Sequence, residues 1–293
     1  MKHFCTVSDV GYSIKGLVMY KSLLDKVKED FLLEYLCLDD PTYNRVKKLN
    51  YSNLVPIHIN ELCNTNQRLY HLRHNGDRLG YYYMLASYIT NYLMENRNYD
   101  DIFYIDSDIF FYQDIKLFAD EIKDKDICIT RHLHVVPGSG AKEGEYNVGV
   151  VYFRNTDIGR KVLYWWRDCV LNCKDLQYNT CYDQGYLNGF IPMAGDRVHV
   201  MENLVYGAPW HWRLFGYDNY TKKDTLTHEG KEKILLYNHF SRMQVNFGNN
   251  SFDFDGNQFC HFTNGQEIYK IPIVRHFYDD YFHQLKWVNQ NWG

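Results

Sequence analysis

The first part of the chain alternates between short apolar runs and longer stretches whose apolar residues recur at helical spacing. Such runs predict strands, and such spacing predicts helices that pack on a sheet. The predicted strands are 3–8, 31–38, 54–59 and 101–106, and the predicted helices are 12–24, 41–48 and 78–94. This alternation is typical of a mostly parallel, doubly wound α/β sheet with helices on both faces and right-handed crossovers. The polar stretch before the helix at 78–94 predicts a loop.

The second part of the chain is less regular, and we expect an elaborated C-terminal part. The predicted strands are 126–130, 146–154, 198–201 and 234–239, and the predicted helices are 115–122, 156–173 and 183–188. Asn155 or Thr156 would cap the long helix. The stretch 131–145 predicts a long loop. The aromatic segment 278–292 predicts either a closing helix or a surface that touches a partner or a membrane. No repeat or linker divides the chain, so we expect one domain over 1–293.

Composition narrows the class of protein. The chain has 293 residues, 45% of them hydrophobic, and a formal net charge of −4, which indicates a globular protein without an electrostatic footprint for nucleic acid. Its eight cysteines are scattered, which is typical of free thiols in a reducing compartment. The first residues lack the apolar core of a signal peptide, and no apolar run has membrane-spanning length. We therefore expect a cytoplasmic protein with, at most, peripheral membrane contact.

The segment 103–111 places two acids between apolar runs. Asp106 and Asp108 lie two residues apart at the end of a strand whose apolar sequence predicts burial on both faces. Two buried carboxylates so close repel each other unless a positive charge lies between them. Mn²⁺ or Mg²⁺ would supply that charge, because these ions prefer oxygen ligands. The alternative is a strand-end turn in which Asp106 caps and Asp108 is solvated.

The end of the first strand carries groups that suit a nucleoside. Ser8 supplies a hydroxyl group, Asp9 can accept hydrogen bonds from a ribose or a base, and Tyr12 can stack on a base. The alternative is that Asp9 is an ordinary helix N-cap. The chain contains neither a GxGxxG fingerprint nor a P-loop.

Four further polar positions are candidates for ligand binding. Arg78 opens a helix, where a guanidinium group can meet a diphosphate or can simply be solvated. Asn147 interrupts an apolar strand, either to bind a hydroxylated ligand or as a satisfied amide beside a bulge. Asp183 and Gln184 open a short helix, where Asp183 is alternatively a cap. His239 ends an apolar strand, where it completes a metal site or forms a structural hydrogen bond.

The order of these motifs resembles that of a known family. The chain reads SDxGY, an Arg, YxDSD, YNVGVxxFRN, DQGYLN and a strand ending in His. Trp165-Trp166-Arg167 and Ala208-Pro209-Trp210 add to the pattern. Over residues 3–240 this set resembles metal-dependent glycosyltransferases of the GT-A fold, and within them the family-8-like nucleotide-diphospho-sugar transferases, including a branch encoded in bacterial surface-polysaccharide clusters.

The resemblance implies a role for each candidate. Asp106, Asp108 and His239 would bind Mn²⁺ or Mg²⁺, and Gln184 would lie beside the reacting anomeric carbon, with Asp183 next to it. The residues that would contact the donor are Ser8, Asp9, Tyr12, Arg78, Asp106, Ser107 and Asn147. Two departures stand out. The usual DQD is Asp183-Gln184-Gly185 here, and the usual HxxGxxKPW is absent after His239, so that Arg242 would neutralise phosphate in place of the missing Lys.

These expectations combine into a metal-dependent glycosyltransferase. It would move a sugar from a nucleotide-diphosphate sugar to a hydroxyl group of a glycan or lipid-linked glycan of a surface polysaccharide or glycoconjugate. We expect retention of the anomeric configuration rather than inversion, because a retaining enzyme can work without a carboxylate base. The nucleotide-binding half would be about 1–130 and the acceptor-side half about 131–293. Two alternatives remain open: a sugar nucleotidyltransferase, and a non-catalytic carbohydrate-binding protein on a transferase fold.

Overall fold

The computed structural model describes residues 1–75, 78–134, 144–175, 177–178, 182–217, 224–241, 243–254 and 269–293. Its strands are β1 Lys2–Ser8, β2 Phe31–Cys37, β3 Leu54–His58, β4 Asp101–Ile105, β5 Ile109–Phe111, β6 Ile127–Arg131, β7 Tyr146–Arg154, β8 Val198–Val200, β9 Leu204–Gly207, β10 Thr225–His228, β11 Lys231–His239, β12 Met243–Asn246 and β13 Ser251–Phe254. Its α-helices are α1 Ser13–Lys26, α2 Asp40–Leu49, α3 Ile59–Thr65, α4 Gln67–Asn75, α5 Arg78–Arg97, α6 Lys116–Ile122, α7 Asp157–Asn172, α8 Phe190–Ala194 and α9 Pro272–Trp292.

Two compact units make up the chain. Unit 1 comprises Met1–Ser13, Lys28–Ser107 and Ala119–Met201. Unit 2 comprises Ile14–Val27, Asp108–Phe118 and Glu202–Gly293. One of the three points at which the chain passes from unit 1 to unit 2 lies between Ser107 and Asp108, within the acidic segment 103–111.

Unit 1 is built on a seven-stranded sheet in the order β3-β2-β1-β4-β7-β6-β8. Strands β3, β2, β1 and β4 are parallel neighbours, and β7 runs antiparallel to both β4 and β6. Helices α5 and α7 bury Ile89 and Trp166 in the core beside strand residues such as Phe153. The predicted α/β class with a mostly parallel sheet is confirmed. Thr156 caps α7, as predicted, by accepting a hydrogen bond from the Gly159 N–H at 3.1 Å.

The predicted loop before α5 is wrong, because α3 and α4 occupy most of it. Ile59, Leu62 and Leu69 of these helices are fully buried. Polar side chains act there as caps: His58 Nδ1 accepts from the Asn60 N–H at 3.2 Å, and Asn66 Oδ1 accepts from the Leu69 N–H at 3.0 Å. A few buried residues per helix are enough once the ends are capped, although the segment is polar overall.

Unit 2 contains a sheet in the order β10-β11-β5, with β9 also paired to β11, and a two-stranded ribbon of β12 and β13. The apolar run after Asp108 is therefore a separate strand, β5, which pairs antiparallel with β11 rather than extending β4. Helix α9 confirms the predicted closing helix: it buries one face of residues at helical spacing, namely Val274, Phe277, Tyr278, Tyr281, Phe282, Leu285 and Val288.

The predictions on the cysteines and on membrane-spanning segments can be compared with the structure. The cysteines within the described ranges are free thiols, and all of them except Cys173 are buried. Cys181 and Cys260 lie outside those ranges, as does most of the loop predicted at 131–145. Among the described helices, none has both the length and the apolar character needed to cross a membrane.

Candidate active site

The acidic pair lies where β4 ends and β5 begins. The backbone N–H of Asp106 donates to the carbonyl of Gly149 on β7 at 2.9 Å, which holds the end of β4 against its neighbour in unit 1. The Tyr104 hydroxyl group donates to Oδ1 of Asp106 at 2.7 Å. Ser107 is buried, and Asp108 is only 6% exposed. The alternative in which Asp108 is solvated is therefore wrong.

Asp108 forms a buried pair with His239 inside unit 2. Strands β5 and β11 bring them together, because Ile109 and His239 are register partners. His239 Nε2 lies 2.9 Å from Asp108 Oδ1, and the carbonyl of Asp108 accepts from the Phe240 N–H at 2.8 Å. The ring of Trp210 meets the His239 ring edge-on, with centroids 5.3 Å apart. His239 is thus a held side chain, as a metal ligand needs to be.

Lys15 on α1 is a further buried charged group of unit 2, and the sequence analysis missed it. It is only 7% exposed. Burial lowers the pKa of Lys15, and the charge of Asp108 opposes that shift. Burial would raise the pKa of Asp108, but His239 and Lys15 outweigh it and hold that pKa below its ordinary value. The signal in the sequence was a Lys set among apolar residues at the start of an amphipathic helix.

Asp106, Asp108 and His239 form a group that suits a divalent cation. One ligand atom from each lies within 4.8 Å of the others. Two carboxylates and one imidazole nitrogen form a donor set that Mn²⁺ and Mg²⁺ accept. The residues therefore fit the predicted metal.

Asp9 holds the turn between β1 and α1. Its Oδ1 accepts from the N–H groups of Gly11 and Tyr12 at 3.0 and 3.2 Å, and its Oδ2 accepts from the Tyr82 hydroxyl group at 3.1 Å. Ser8 is buried and shares a hydrogen bond of 2.7 Å with the hydroxyl group of Tyr35. Helix α1 starts only at Ser13, so Asp9 orders the preceding turn. Tyr82, one turn beyond Arg78 on α5, is a residue that the sequence analysis missed.

Asn147 and Gln184 are in contact. Asn147 Nδ2 donates to Gln184 Oε1 at 3.1 Å, and Asn147 Oδ1 accepts from the Gly149 N–H at 2.9 Å. Asn147 is buried on β7 and pairs with Thr130, next to a register shift between β6 and β7. Gln184 opens a short 3₁₀ helix, Gln184–Gly189. Two residues proposed for one site are thus in contact within unit 1. The side-chain amide of Asn147 also has hydrogen-bond partners next to a strand irregularity, as the alternative interpretation expected.

Asp183 is buried, with only 4% exposure, and its side chain makes no capping hydrogen bond, so the capping alternative is wrong. Its backbone carbonyl accepts from Nε1 of Trp166 at 3.0 Å. Burial is the main cause that raises the pKa of Asp183 well above its ordinary value, and the charge of Asp106 adds to the shift. A carboxyl group of this kind holds its proton tightly.

Two predicted donor contacts cannot be placed. Arg78 is the first residue of α5, but its side chain lies outside the described residues. Arg242 lies wholly outside them. Both remain predictions.

No protein-family model matches the chain. Two proteins of Bacillus subtilis (strain 168) are similar in sequence. Uncharacterized protein YfnF is 27% identical over 255 residues, which cover 83% of this chain and 82% of the relative. Uncharacterized protein YfnD is 26% identical over 251 residues, which cover 82% of this chain and 77% of the relative.

Solved glycosyltransferases share the architecture. Apo mouse xyloside xylosyltransferase 1 superposes with a TM-score of 0.54 at 15% identity, covering 82% of this chain and 97% of that chain. Galactosyltransferase LgtC, in complex with donor and acceptor sugar analogs, gives 0.53 at 15% identity, covering 82% and 87%. Together with the mostly parallel sheet, these matches establish that the chain has the fold of the GT-A glycosyltransferases.

Proposed function

We propose that this protein is a metal-dependent glycosyltransferase that moves a sugar from a nucleotide-diphosphate sugar to an acceptor hydroxyl group. The observation that carries the proposal is the grouping of Asp106, Asp108 and His239 on a GT-A fold. A bound Mn²⁺ or Mg²⁺ would act as a Lewis acid that stabilises the diphosphate leaving group. The three side chains would hold the ion, and the pairing of β5 with β11 places His239 beside Asp108.

The residues of unit 1 would bind and orient the donor. Asp9 and Tyr12, in the turn that Tyr82 braces, would hold the nucleoside together with Ser8. Ser107, between the two acids, would contact the diphosphate. We also assign donor contacts to Arg78 and Arg242, whose positions in the chain suit phosphate binding.

The amides of Asn147 and Gln184 would face the sugar. Breaking the sugar–phosphate bond leaves positive character on the ring, and amide oxygens can stabilise that character without an added charge. Their mutual hydrogen bond of 3.1 Å fixes the orientation of both groups. This arrangement supports the assignment of Gln184 next to the anomeric carbon.

Retention of the anomeric configuration is the outcome that the site favours. Inversion would need a carboxylate base beside the acceptor hydroxyl group, and Asp183 is the candidate. Gln184, which would lie beside the anomeric carbon, is a neutral amide and suits a retaining reaction, which can do without such a base. The acceptor that we propose is a glycan or lipid-linked glycan of a surface polysaccharide or glycoconjugate, reached in the cytoplasm, with residues from about 131 onwards on the acceptor side.

The two alternative functions have less support. A sugar nucleotidyltransferase would need a glycine-rich triphosphate loop with basic residues directly after β1, whereas residues 9–12 contain one glycine and no base. A non-catalytic carbohydrate-binding protein would have no need for a buried Asp108–His239 pair next to a second acid.

The test is donor binding and hydrolysis by the full chain. Thermal unfolding is followed with a panel of UDP- and GDP-sugars, with and without Mn²⁺, and stabilisation should require both components. Asp108→Asn should keep the fold but lose metal-dependent donor hydrolysis by about a hundredfold or more. Asp157→Asn removes a carboxylate that is 97% exposed and should leave hydrolysis unchanged. Hydrolysis that is unaffected by Asp108→Asn would remove the acidic pair from the mechanism.

A further inference from the structure

Gln184 is the first residue of a 3₁₀ helix that depends on its neighbours for its position. The helix Gln184–Gly189 has only six residues. Hydrogen bonds in a 3₁₀ helix have poorer geometry than those in an α-helix, so a piece this short is not rigid by itself. Two other parts of unit 1 contact it, namely helix α7 and the segment directly before β7. The contacts on these two sides differ in kind.

Helix α7 secures the two ends of the 3₁₀ helix to the core of unit 1. Nε1 of Trp166 donates to the carbonyl of Asp183, the residue before Gln184, at 3.0 Å. At the other end, the Trp165 ring lies against Gly189 so closely that a Cβ atom there would collide with it. Because buried aromatic packing supplies much of the stability of a core, α7 gives the helix its place in the fold.

The segment before β7 contacts the backbone of Gln184 directly. A Cβ atom at Gly144 would lie 3.2 Å from the Gly185 Cα and 3.3 Å from the Gln184 carbonyl oxygen. Gly144 also has a φ of +83°, a conformation that favours glycine. A larger residue here would push on the peptide group of Gln184, since backbone atoms cannot move aside as a flexible side chain can.

Asn188 ties the same segment to the far end of the 3₁₀ helix. Its Oδ1 accepts from the Glu145 N–H at 2.9 Å. The Glu145 carbonyl accepts from the His132 N–H at 2.9 Å, and the Gly144 carbonyl accepts from Nε2 of His134 at 2.7 Å. The segment before β7 is therefore held by the residues that follow β6, and it holds the 3₁₀ helix in turn.

The same stretch of chain also fixes the side chain of Gln184. Asn147, at the start of β7, donates to Gln184 Oε1 at 3.1 Å. The entrance to β7 thus sets both the backbone and the amide of one residue. A shift of about 1 Å in a group at the reacting centre can lower a rate by about a hundredfold, so such control of position has a large effect on chemistry.

We propose that Gly144 and Asn188 are positioning residues, which hold Gln184 at the donor sugar by fixing the 3₁₀ helix against the entrance to β7. This inference rests on the proposed glycosyltransferase function, in which Gln184 lies beside the anomeric carbon. Because α7 secures the helix separately, losing the contacts of Gly144 or Asn188 should displace Gln184 without unfolding unit 1.

Two variants of the full chain break the two contacts separately. Gly144→Ala introduces the obstructing Cβ atom, and Asn188→Leu removes the acceptor oxygen while keeping the size of the side chain. Each should lower kcat by about tenfold or more for metal-dependent hydrolysis of the UDP- or GDP-sugar that the unmodified protein hydrolyses. Each should leave KM unchanged, and isothermal titration calorimetry should show unchanged binding of the Mn²⁺ complex of UDP or GDP. Hydrogen exchange of the amides of 184–189 should become faster in both.

Two controls separate displacement of Gln184 from a general loss of stability. Asn188→Asp keeps an acceptor oxygen for the Glu145 N–H and should retain most of the rate and the slow exchange. Gly195 has a φ of +55° and no atom within 4 Å of the place of a Cβ. Gly195→Ala therefore brings backbone strain without an obstruction, and it should change neither kcat nor the exchange of 184–189.

The outcomes that contradict the role of the two residues are distinct. Unchanged kcat in both Gly144→Ala and Asn188→Leu would overturn it, whatever the exchange rates are. Equal losses in Asn188→Asp and Asn188→Leu, or a parallel loss of hydrolysis and nucleotide binding, would also overturn it. If Gly144→Ala does not fold, the comparison of Asn188→Leu with Asn188→Asp decides. An unmodified protein that neither binds nor hydrolyses any donor of the panel would overturn the proposed function, and this role with it.

Discussion

Asp126 and Asp108 are both buried carboxylates with a basic partner, and their pKa values are both lowered, yet they are built for different purposes. Asp126 receives two hydrogen bonds from Arg197, at 2.7 and 2.9 Å, and the same guanidinium group donates to the Asp124 carbonyl at 2.9 Å. Asp108 faces His239 at 2.9 Å. Arginine stays protonated and cannot ligate a metal, whereas histidine can give up its proton and become a ligand.

The difference shows that burial and pairing alone do not identify a functional carboxylate. The Asp126–Arg197 pair is closed, because its cation is permanent and the guanidinium group makes three hydrogen bonds. The backbone closes it further, since the Asp126 N–H donates to the Arg197 carbonyl at 2.9 Å. The Asp108–His239 pair is exchangeable, because a metal ion can replace the shared proton. The following predictions test this distinction between a closed pair and an exchangeable one.

The largest expected effect is on metal binding by the exchangeable pair. His239→Gln keeps a hydrogen-bonding group near Asp108 but removes the imidazole nitrogen. We expect Mn²⁺ affinity, measured by isothermal titration calorimetry, to fall by about a hundredfold, since one of three protein ligands is gone. Arg197→Gln is the matched change in the closed pair. The folded fraction of this variant should bind Mn²⁺ with unchanged affinity. Equal Mn²⁺ affinities in His239→Gln and the unmodified protein would contradict the exchangeable-pair interpretation.

The next effect is on stability, and it concerns the closed pair. Asp126→Asn leaves Arg197 without its counter-charge, and we expect the free energy of unfolding to fall by about 2 kcal/mol. Full burial of both partners would cost more, but the Arg197 side chain is 31% exposed, and solvent screens part of the loss. Chemical denaturation of Asp126→Asn and of the unmodified protein measures the difference. An unchanged denaturation midpoint would show that the pair does not stabilise unit 1.

The pH dependence of this stability has a definite sign. Hydrogen bonding from Arg197 is the largest cause that lowers the pKa of Asp126 in the folded protein. The contribution of the Asp126–Arg197 pair to the free energy of unfolding is therefore fully present above the unfolded pKa of about 4, and it is lost as the pH falls through the lower folded pKa. The stability gap between the unmodified protein and Asp126→Asn should be constant from pH 5 to 7 and should close below about pH 4.

The smallest expected effect is on the pH dependence of stability at Asp183, and its sign is opposite to that at Asp126. Because burial and Asp106 raise the folded pKa of Asp183, its favourable contribution is present below the unfolded pKa and is lost as the pH rises through the folded one. In metal-free protein, Asp183→Asn should therefore raise the melting temperature at pH 8 by about 2 °C and lose this advantage near pH 4. Melting curves across that range measure the effect, and a lower melting temperature at pH 8 would contradict it.

Much of the fold was predictable because it depends on local periodicity. The strands β1, β2, β4 and β7 follow from apolar runs, and α1, α5 and α7 follow from helical spacing. The failure at α3 and α4 has the same origin, since their signal is carried by caps such as Asn66 and by a few buried residues rather than by a strong apolar stripe. Strand β5 was not predicted, because sequence does not reveal that the short apolar run after Asp108 joins a different sheet.

The sequence predicted which residues form the candidate site better than it predicted their charge environment. Asp106, Asp108 and His239 were chosen from their residue types and their order, and the structure groups them. Asn147 and Gln184 were proposed for one site and lie in contact. Tyr82 and Lys15 were missed, because a hydroxyl group or an ammonium group within a helix has no distinctive local pattern.

By itself, the sequence determined the α/β alternation and the presence of two acids two residues apart, because both are properties of neighbouring residues. The tertiary structure decided which groups face those acids. Strand pairing brings His239 to Asp108. Burial raises the pKa of both Asp108 and Asp183, but cationic groups reverse the shift for Asp108, whereas the charge of Asp106 adds to it for Asp183. The physical reason is that the charge state of a buried group depends on solvent exclusion and on partners that are distant in the chain.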